Sequence, residues 1–349
     1  MINFCTLFDA NYLVRALAMY RSLQATGESF TLYAVCFDHP SYRILERLRL
    51  PELVAISLEE FETPALRAVK GERSAGEYCW TCTSQVIRYL LERYRLPELT
   101  YLDADLYFYQ KPSLLLAELK GTGASVLINE HRYTPTGGYW DALKRGFYRN
   151  PLSYGVYCVQ FITFKADANG LRVLNWWQER CLEWCYARLE DGKFGDQKYL
   201  DDWTVRFPGV HVLRHLGGGV APWNVERYQL VADAGRLSVD GQQLVFYHFH
   251  RLHLYRQGLY DLGFYRLPAK VIDLLYRPYA RALGEAQAEI RLVEPGFDQG
   301  YALQADGAAQ RALNLVRRLF GTYNVCRLSQ EGEAAGLGCG LSAAKETGD

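Results

Sequence analysis

The chain has 349 residues, with 39 Lys+Arg balanced by 39 Asp+Glu and 49% hydrophobic residues. That length can bury a large core, and the zero net charge gives no field to draw nucleic acid or anionic lipid, so any anion must be held by local groups. Nine cysteines, an odd number, a start without a basic-then-apolar leader and no apolar run of membrane-spanning length together predict reduced thiols in a cytoplasmic protein.

The first predicted strand covers residues 2–8 and runs into Asp9-Ala-Asn-Tyr12, followed by an amphipathic helix over 13–23. Strands over 31–37 and 53–58 flank a helix over 41–48, and a helix over 79–94 carries Val86, Ile87, Leu90 and Leu91 on its apolar face. A strand over 100–109 then carries Asp103 and Asp105. Strands over 124–129 and 160–165 precede a long helix over 171–190. Gly195-Asp-Gln197 opens a further helical stretch, and strands follow over 210–216 and 244–250, the last carrying His248 and His250. Alternating strands and helices predict an α/β fold, a mostly parallel twisted sheet flanked by helices. Beyond about Leu267 the pattern is helical only, and from about Ser329 it becomes rich in Gly, Ala, Ser and Glu. The predicted organisation is an α/β domain over 1–266, a helical appendage over 267–328 and a disordered tail over 329–349.

Asp103 and Asp105 are the most telling pair. Carboxylates two apart on an otherwise aromatic and aliphatic strand are costly to bury unpaired, and a divalent cation would compensate both. Hard oxygen ligands suit Mg²⁺ or Mn²⁺, which commonly also take phosphate oxygens. The plainer alternative is a strand-end pair making loop hydrogen bonds. His248 and His250 lie on one side of a late strand, and an imidazole added to two carboxylates favours Mn²⁺ somewhat over Mg²⁺. Asp196 suits either a helix N-terminal charge or a sugar-facing carboxylate. Gly217-Gly-Gly219 permits close backbone approach to a phosphate or sugar, or is an ordinary connecting loop. No Walker loop, dinucleotide fingerprint or nucleophile elbow is present. Cys79-x-x-Cys82 and Cys181-x-x-x-Cys185 could meet as a zinc site, yet both lie in helix-like stretches rather than on knuckle turns.

Taken in chain order, Thr6-Leu-Phe-Asp9-Ala-Asn-Tyr12, Leu102-Asp-Ala-Asp105, Gly195-Asp-Gln197, Pro222-Trp-Asn224 and Tyr247-His-Phe-His250 resemble the GT-A nucleotide-sugar glycosyltransferases. The likeness is to the glycogenin and lipopolysaccharide-galactosyltransferase group, glycosyltransferase family eight, over roughly residues 2–255. The resemblance implies a GT-A fold with Thr6, Asp9 and Tyr12 beside the nucleoside, Mn²⁺ or Mg²⁺ on Asp103, Asp105 and His248, and Asp103 also near the ribose. It places Asp196 and Gln197 as catalytic groups at the donor sugar, with Asn224 at the donor site and Gln160 standing in for the group's Asn-x-Gly. The implied activity is sugar transfer from a nucleoside-diphosphate donor in bacterial-type surface glycan or glycoconjugate synthesis. The acceptor class (glycan, lipid-linked or protein) is open. A metal-dependent nucleotide-sugar phosphohydrolase and a non-catalytic nucleotide-sugar-binding protein are the alternatives.

Residues 309–320 form an amphipathic segment, with Leu313, Val316 and Phe320 set against Arg311, Arg317 and Arg318. Such a face would suit peripheral contact with the inner membrane surface, or packing back on the core.

Overall fold

The computed structural model describes residues 1–134, 151–304 and 307–328, so the expected tail over 329–349 lies outside the described residues. Strands β1 (Ile2–Phe8), β2 (Phe30–Cys36) and β3 (Leu53–Ser57) alternate with helices α1 (Leu13–Ala25), α2 (His39–Leu48), α3 (Leu58–Phe61), α4 (Pro64–Lys70) and α5 (Ala75–Arg93). Strands β4 (Glu98–Leu102) and β5 (Leu106–Phe108), helix α6 (Ser113–Thr122), strands β6 (Val126–Glu130) and β7 (Tyr157–Lys165), and helix α7 (Ala168–Glu183) come next. After the short helix α8 (Trp203–Arg206) come β8 (Val210–Val212), the small strands β9 (Leu230–Asp233), β10 (Arg236–Val239) and β11 (Gln242–Gln243), and β12 (Phe246–His248). Strands β13 (His253–Leu254) and β14 (Leu259–Asp261), a helix α9 over 269–293, helix α10 (Ala308–Leu319) and strand β15 (Val325–Arg327) complete the chain.

The main sheet has the order β3-β2-β1-β4-β7-β6-β8. Its pairings are parallel except that β7 runs against both β4 and β6. This is the predicted α/β arrangement. The chain lays β2 and β3 to one side of β1 and then returns to place β4 on the other, so a crevice opens beyond the carboxyl ends of β1 and β4. In open sheets of this kind such a switch point is where ligands bind.

Strand alternation explains the two cores. Phe4 and Phe8 point to the face covered by α1 and α9, whereas Cys5 and Leu7 point to the face covered by α5 and α7. Hydrogen bonds tie the ends of β1 and β2 together. The Asp38 carboxylate caps α2 by accepting from Ser41 N–H at 2.9 Å, and its other oxygen accepts from Ala10 N–H at 2.9 Å.

Several elements differ from expectation. The stretch 100–109 is two strands, because the backbone turns at Asp103–Asp105 and passes from the main sheet into a ribbon of β5 and β12. The helix expected over 171–190 stops at Glu183, where Trp184 adopts an extended backbone. The end of the chain is not helical only, since β15 pairs with β14. Among the described residues the cysteines are free and mostly buried, and none joins a metal-like cluster. No helix is long and apolar enough to cross a membrane.

Candidate metal centre and cleft

The turn between β4 and β5 is built from both sides. Asp103 N–H donates to the Gln160 carbonyl of β7 at 3.0 Å, and Phe249 N–H donates to the Asp105 carbonyl at 3.0 Å. The turn therefore sits between the main sheet and the β5–β12 ribbon, in which His248 lies opposite Leu106. His248 Nε2 approaches Asp105 Oδ1 at 3.0 Å and Asp103 Oδ2 at 3.7 Å. One ligand atom from each of Asp103, Asp105 and His248 lies within 4.8 Å of the others.

Groups behind the cluster hold it in place. The Tyr101 hydroxyl donates to Asp103 Oδ1 at 3.0 Å. The Gln160 side-chain oxygen faces His248 Nδ1, which must then carry a proton and leave Nε2 directed at the carboxylates. Trp223 lies edge-on to His248, with ring centroids 5.3 Å apart, and its indole N–H donates to the His131 carbonyl at 2.9 Å. Tyr101 and Trp223 were not singled out from the sequence. Trp223 lay inside a noted motif, and the phenol of Tyr101 reaches Asp103 only because residues two apart on a strand share a face.

The electrostatics follow from burial and proximity. Burial penalises the charged imidazole of His248, but Asp105 and Asp103 outweigh that cost and hold its pKa well above the ordinary value. Burial raises Asp105 too, and the facing His248 reverses this to leave it low. Asp103 is raised by burial, with His248 opposing. His250 is half-buried, with its pKa pushed down to about 3 by desolvation and then by His248, and its Nδ1 meets the Tyr265 hydroxyl at 2.8 Å. Of the two candidate histidines, His248 is the one in the cluster.

A cleft of about 1520 Å³ opens over this centre. Asp9, Tyr12, Asp196 and Gln197 all line it. Asp9 shapes its own turn by accepting from the N–H groups of Asn11 and Tyr12 at 3.0 and 3.2 Å, and Tyr12 is 45% exposed beneath the Arg15 guanidinium. Asp196 is 5% exposed, and burial followed by the charge of Asp103 raises its pKa to about 7. It occupies the N-cap position of the short helical turn over Gln197–Asp202, but its side chain makes no capping hydrogen bond there. Gln197 donates to the Tyr154 carbonyl at 2.8 Å. Gly195, at φ +53°, lies where an added Cβ would sit 3.2 Å from the Trp80 ring, so the turn that presents Asp196 depends on glycine.

Three expected donor contacts lie elsewhere. Thr6 is fully buried on the Phe4 side of β1, behind the cleft wall, because strand parity points it into the core. Gln160 is also fully buried and meets His248 rather than the cleft. The Asn224 amide is consumed by its own loop, donating to the carbonyls of His131 and Gly219 and accepting from Ala221 N–H. The triple glycine likewise serves packing. A Cβ on Gly217 would strike the Gln243 carbonyl at 1.8 Å, and one on Gly219 would strike the Asn129 amide at 2.3 Å.

Comparison with known proteins adds relatives and shapes. No family model matches the chain. It is 31% identical to YfnF of Bacillus subtilis (strain 168) over 253 residues, covering 70% of this chain and 80% of that protein. It is 27% identical to YfnD of the same organism over 305 residues, covering 86% and 94%. Both carry the name of uncharacterized proteins. Among solved structures, the galactosyltransferase LgtC in complex with donor and acceptor sugar analogues is 11% identical, with TM-score 0.48 over 81% of this chain and 96% of that one. Mouse xyloside xylosyltransferase 1 in its apo form is 15% identical, with TM-score 0.44 over 72% and 98%. Likenesses this distant assign no activity.

Proposed function

The chain belongs to the family of Bacillus subtilis YfnF, and from the geometry of its cleft we propose that it is a metal-dependent glycosyltransferase acting on a nucleoside-diphosphate sugar. The observation that carries the reading is the convergence of Asp103, Asp105 and His248 at the switch point of the sheet, inside a cleft large enough for two substrates.

The residues fit Mn²⁺ or Mg²⁺. Two carboxylates supply hard oxygens, and His248 aims Nε2 at them while Gln160 fixes its other nitrogen. When bound, such an ion supplies Lewis-acid neutralisation of charge on a leaving diphosphate. Asp103, Asp105 and His248 would hold it, and Arg251, which lines the same cleft, adds a fixed positive charge toward the phosphates. The Asp9–Tyr12 turn offers an exposed phenol and a polar edge to the nucleoside. Asp196 and Gln197 would orient the sugar. With a pKa near 7 in the metal-free protein, the Asp196 carboxyl is suited to hold or pass a proton at neutral pH.

A screen of UDP-, GDP-, dTDP- and CMP-sugars by thermal shift, with and without Mn²⁺, tests the reading. One nucleotide class should stabilise the protein only when Mn²⁺ is present, and product analysis should then find sugar on an added acceptor. If no nucleotide sugar gives an Mn²⁺-dependent shift, the proposal fails. Release of free sugar regardless of acceptor would replace transfer by hydrolysis.

A further inference from the structure

Helix α10 forms one wall of the cleft. Leu313, Val316 and Phe320 follow a single helical face, are half-buried, and line the cleft together with Phe264. The fourth member of that face, Arg317, also borders the cleft, but its guanidinium is buried and anchors the wall. It is 2% exposed and bonds both oxygens of Asp261 at 2.6 and 2.8 Å. The same guanidinium donates to the Gly263 carbonyl at 3.0 Å and lies 4.3 Å from the centre of the Phe264 ring. One buried ion pair thus fixes the helix and the Phe264 loop as a unit. The other side of the helix carries Leu315 and Leu319, which are 61% and 75% exposed.

The cleft, about 1520 Å³, exceeds the roughly 300–1,000 Å³ usual for one small-molecule site. Its lining also includes the polar Asp9–Tyr12 turn and the acidic cluster. The α10 wall presents the apolar row of Leu313, Val316 and Phe320, which covers a hydrocarbon surface, with Arg266 and Thr322 also lining the cleft. Resting on the glycosyltransferase reading, we infer that the acceptor is amphiphilic. Its hydroxyl end lies toward Asp196, and an aliphatic portion lies along Leu313, Val316 and Phe320.

The probe is N-phenyl-1-naphthylamine, a neutral apolar fluorophore, added to the full chain. Competitors are octyl and methyl β-glucoside, both below the micellar concentration of the octyl compound. Saturable fluorescence displaced by the octyl but not the methyl glucoside is expected. Val316→Ser should weaken probe binding about tenfold, the scale of losing a methyl-sized contact in an apolar pocket. The near-isosteric Val316→Thr should weaken it in the same direction, and Leu315→Ser, on the outer side, should leave it unchanged. No saturable binding, equal displacement by methyl glucoside, or an equal loss in Leu315→Ser overturns the inference. The two readings separate cleanly: a chain that passes the nucleotide-sugar screen and fails here loses only the amphiphilic acceptor, and one that fails the screen loses the acceptor assignment with its premise.

Discussion

The Asp103–Asp105–His248 cluster and helix α10 line the same cleft but are secured by different means. The cluster hangs on three strands, with backbone bonds on both sides of the Asp103–Asp105 turn and an orienting partner for His248. Helix α10 is secured chiefly through one buried side chain, Arg317, and the short pairing of β15 that follows it. The proposed metal ligands thus sit on paired backbone, whereas the apolar wall depends on a side-chain ion pair and a three-residue strand.

The comparison can be broken most sharply at Asp105. Asp105→Asn removes a charged ligand without changing shape, and we expect kcat/KM to fall on the order of 10³ or more with loss of Mn²⁺ dependence, as suits several kcal/mol of lost charge stabilisation. Wild-type turnover in that variant would move the metal elsewhere. At the other region, Arg317→Met leaves Asp261 buried and uncompensated, a defect worth about 3–5 kcal/mol. Limited proteolysis should then cut within residues 307–328 while Mn²⁺ affinity holds. Unchanged resistance would show that α10 is fastened by other contacts.

A smaller effect is expected at Gln160→Leu, which frees His248 to rotate and should weaken Mn²⁺ binding about 10–100-fold by titration. An equal loss in nucleotide binding without metal would point to a general packing defect instead. Asp196→Asn separates stability from activity. Burial raises the Asp196 pKa from 3.8 to about 7, so the metal-free folded state holds a proton that the unfolded chain releases. Native stability therefore drops as pH rises from about 4 to about 7. The Asn variant should melt higher than wild type above pH 7, match it below about pH 4, and turn over more slowly. A lower melting temperature at pH 8 would contradict the burial argument.

Much of the fold and part of the site could be read from residue order. Asp103, Asp105 and His248 were legible because charged or imidazole groups stand out on hydrophobic strands, and Asp196 because it follows a glycine turn. Thr6 and Gln160 were misplaced for the same reason: a motif gives spacing along the chain, but strand parity decides which face a residue takes. Asn224 was read as ligand-facing when its demands come from neighbouring backbone, and of the two readings of the triple glycine the ordinary packed loop is the one its neighbours support. The amphipathic segment over 309–320 had the correct apolar row, yet nothing in its sequence says that Asp261 waits to receive Arg317. That pairing spans 56 residues and exists only after β13 and β14 have folded back.

The Arg317–Asp261 pair also makes one stretch of the chain wait for another that follows it by 56 residues. Asp261 is laid down early, on a strand whose last hydrogen-bonded neighbour, β15, is synthesised after Arg317. A growing chain, or one clipped before residue 317, would have to leave that carboxylate in water and β14 with an open edge. The main sheet needs nothing beyond β8, so it is complete in sequence long before the partners of this loop are made.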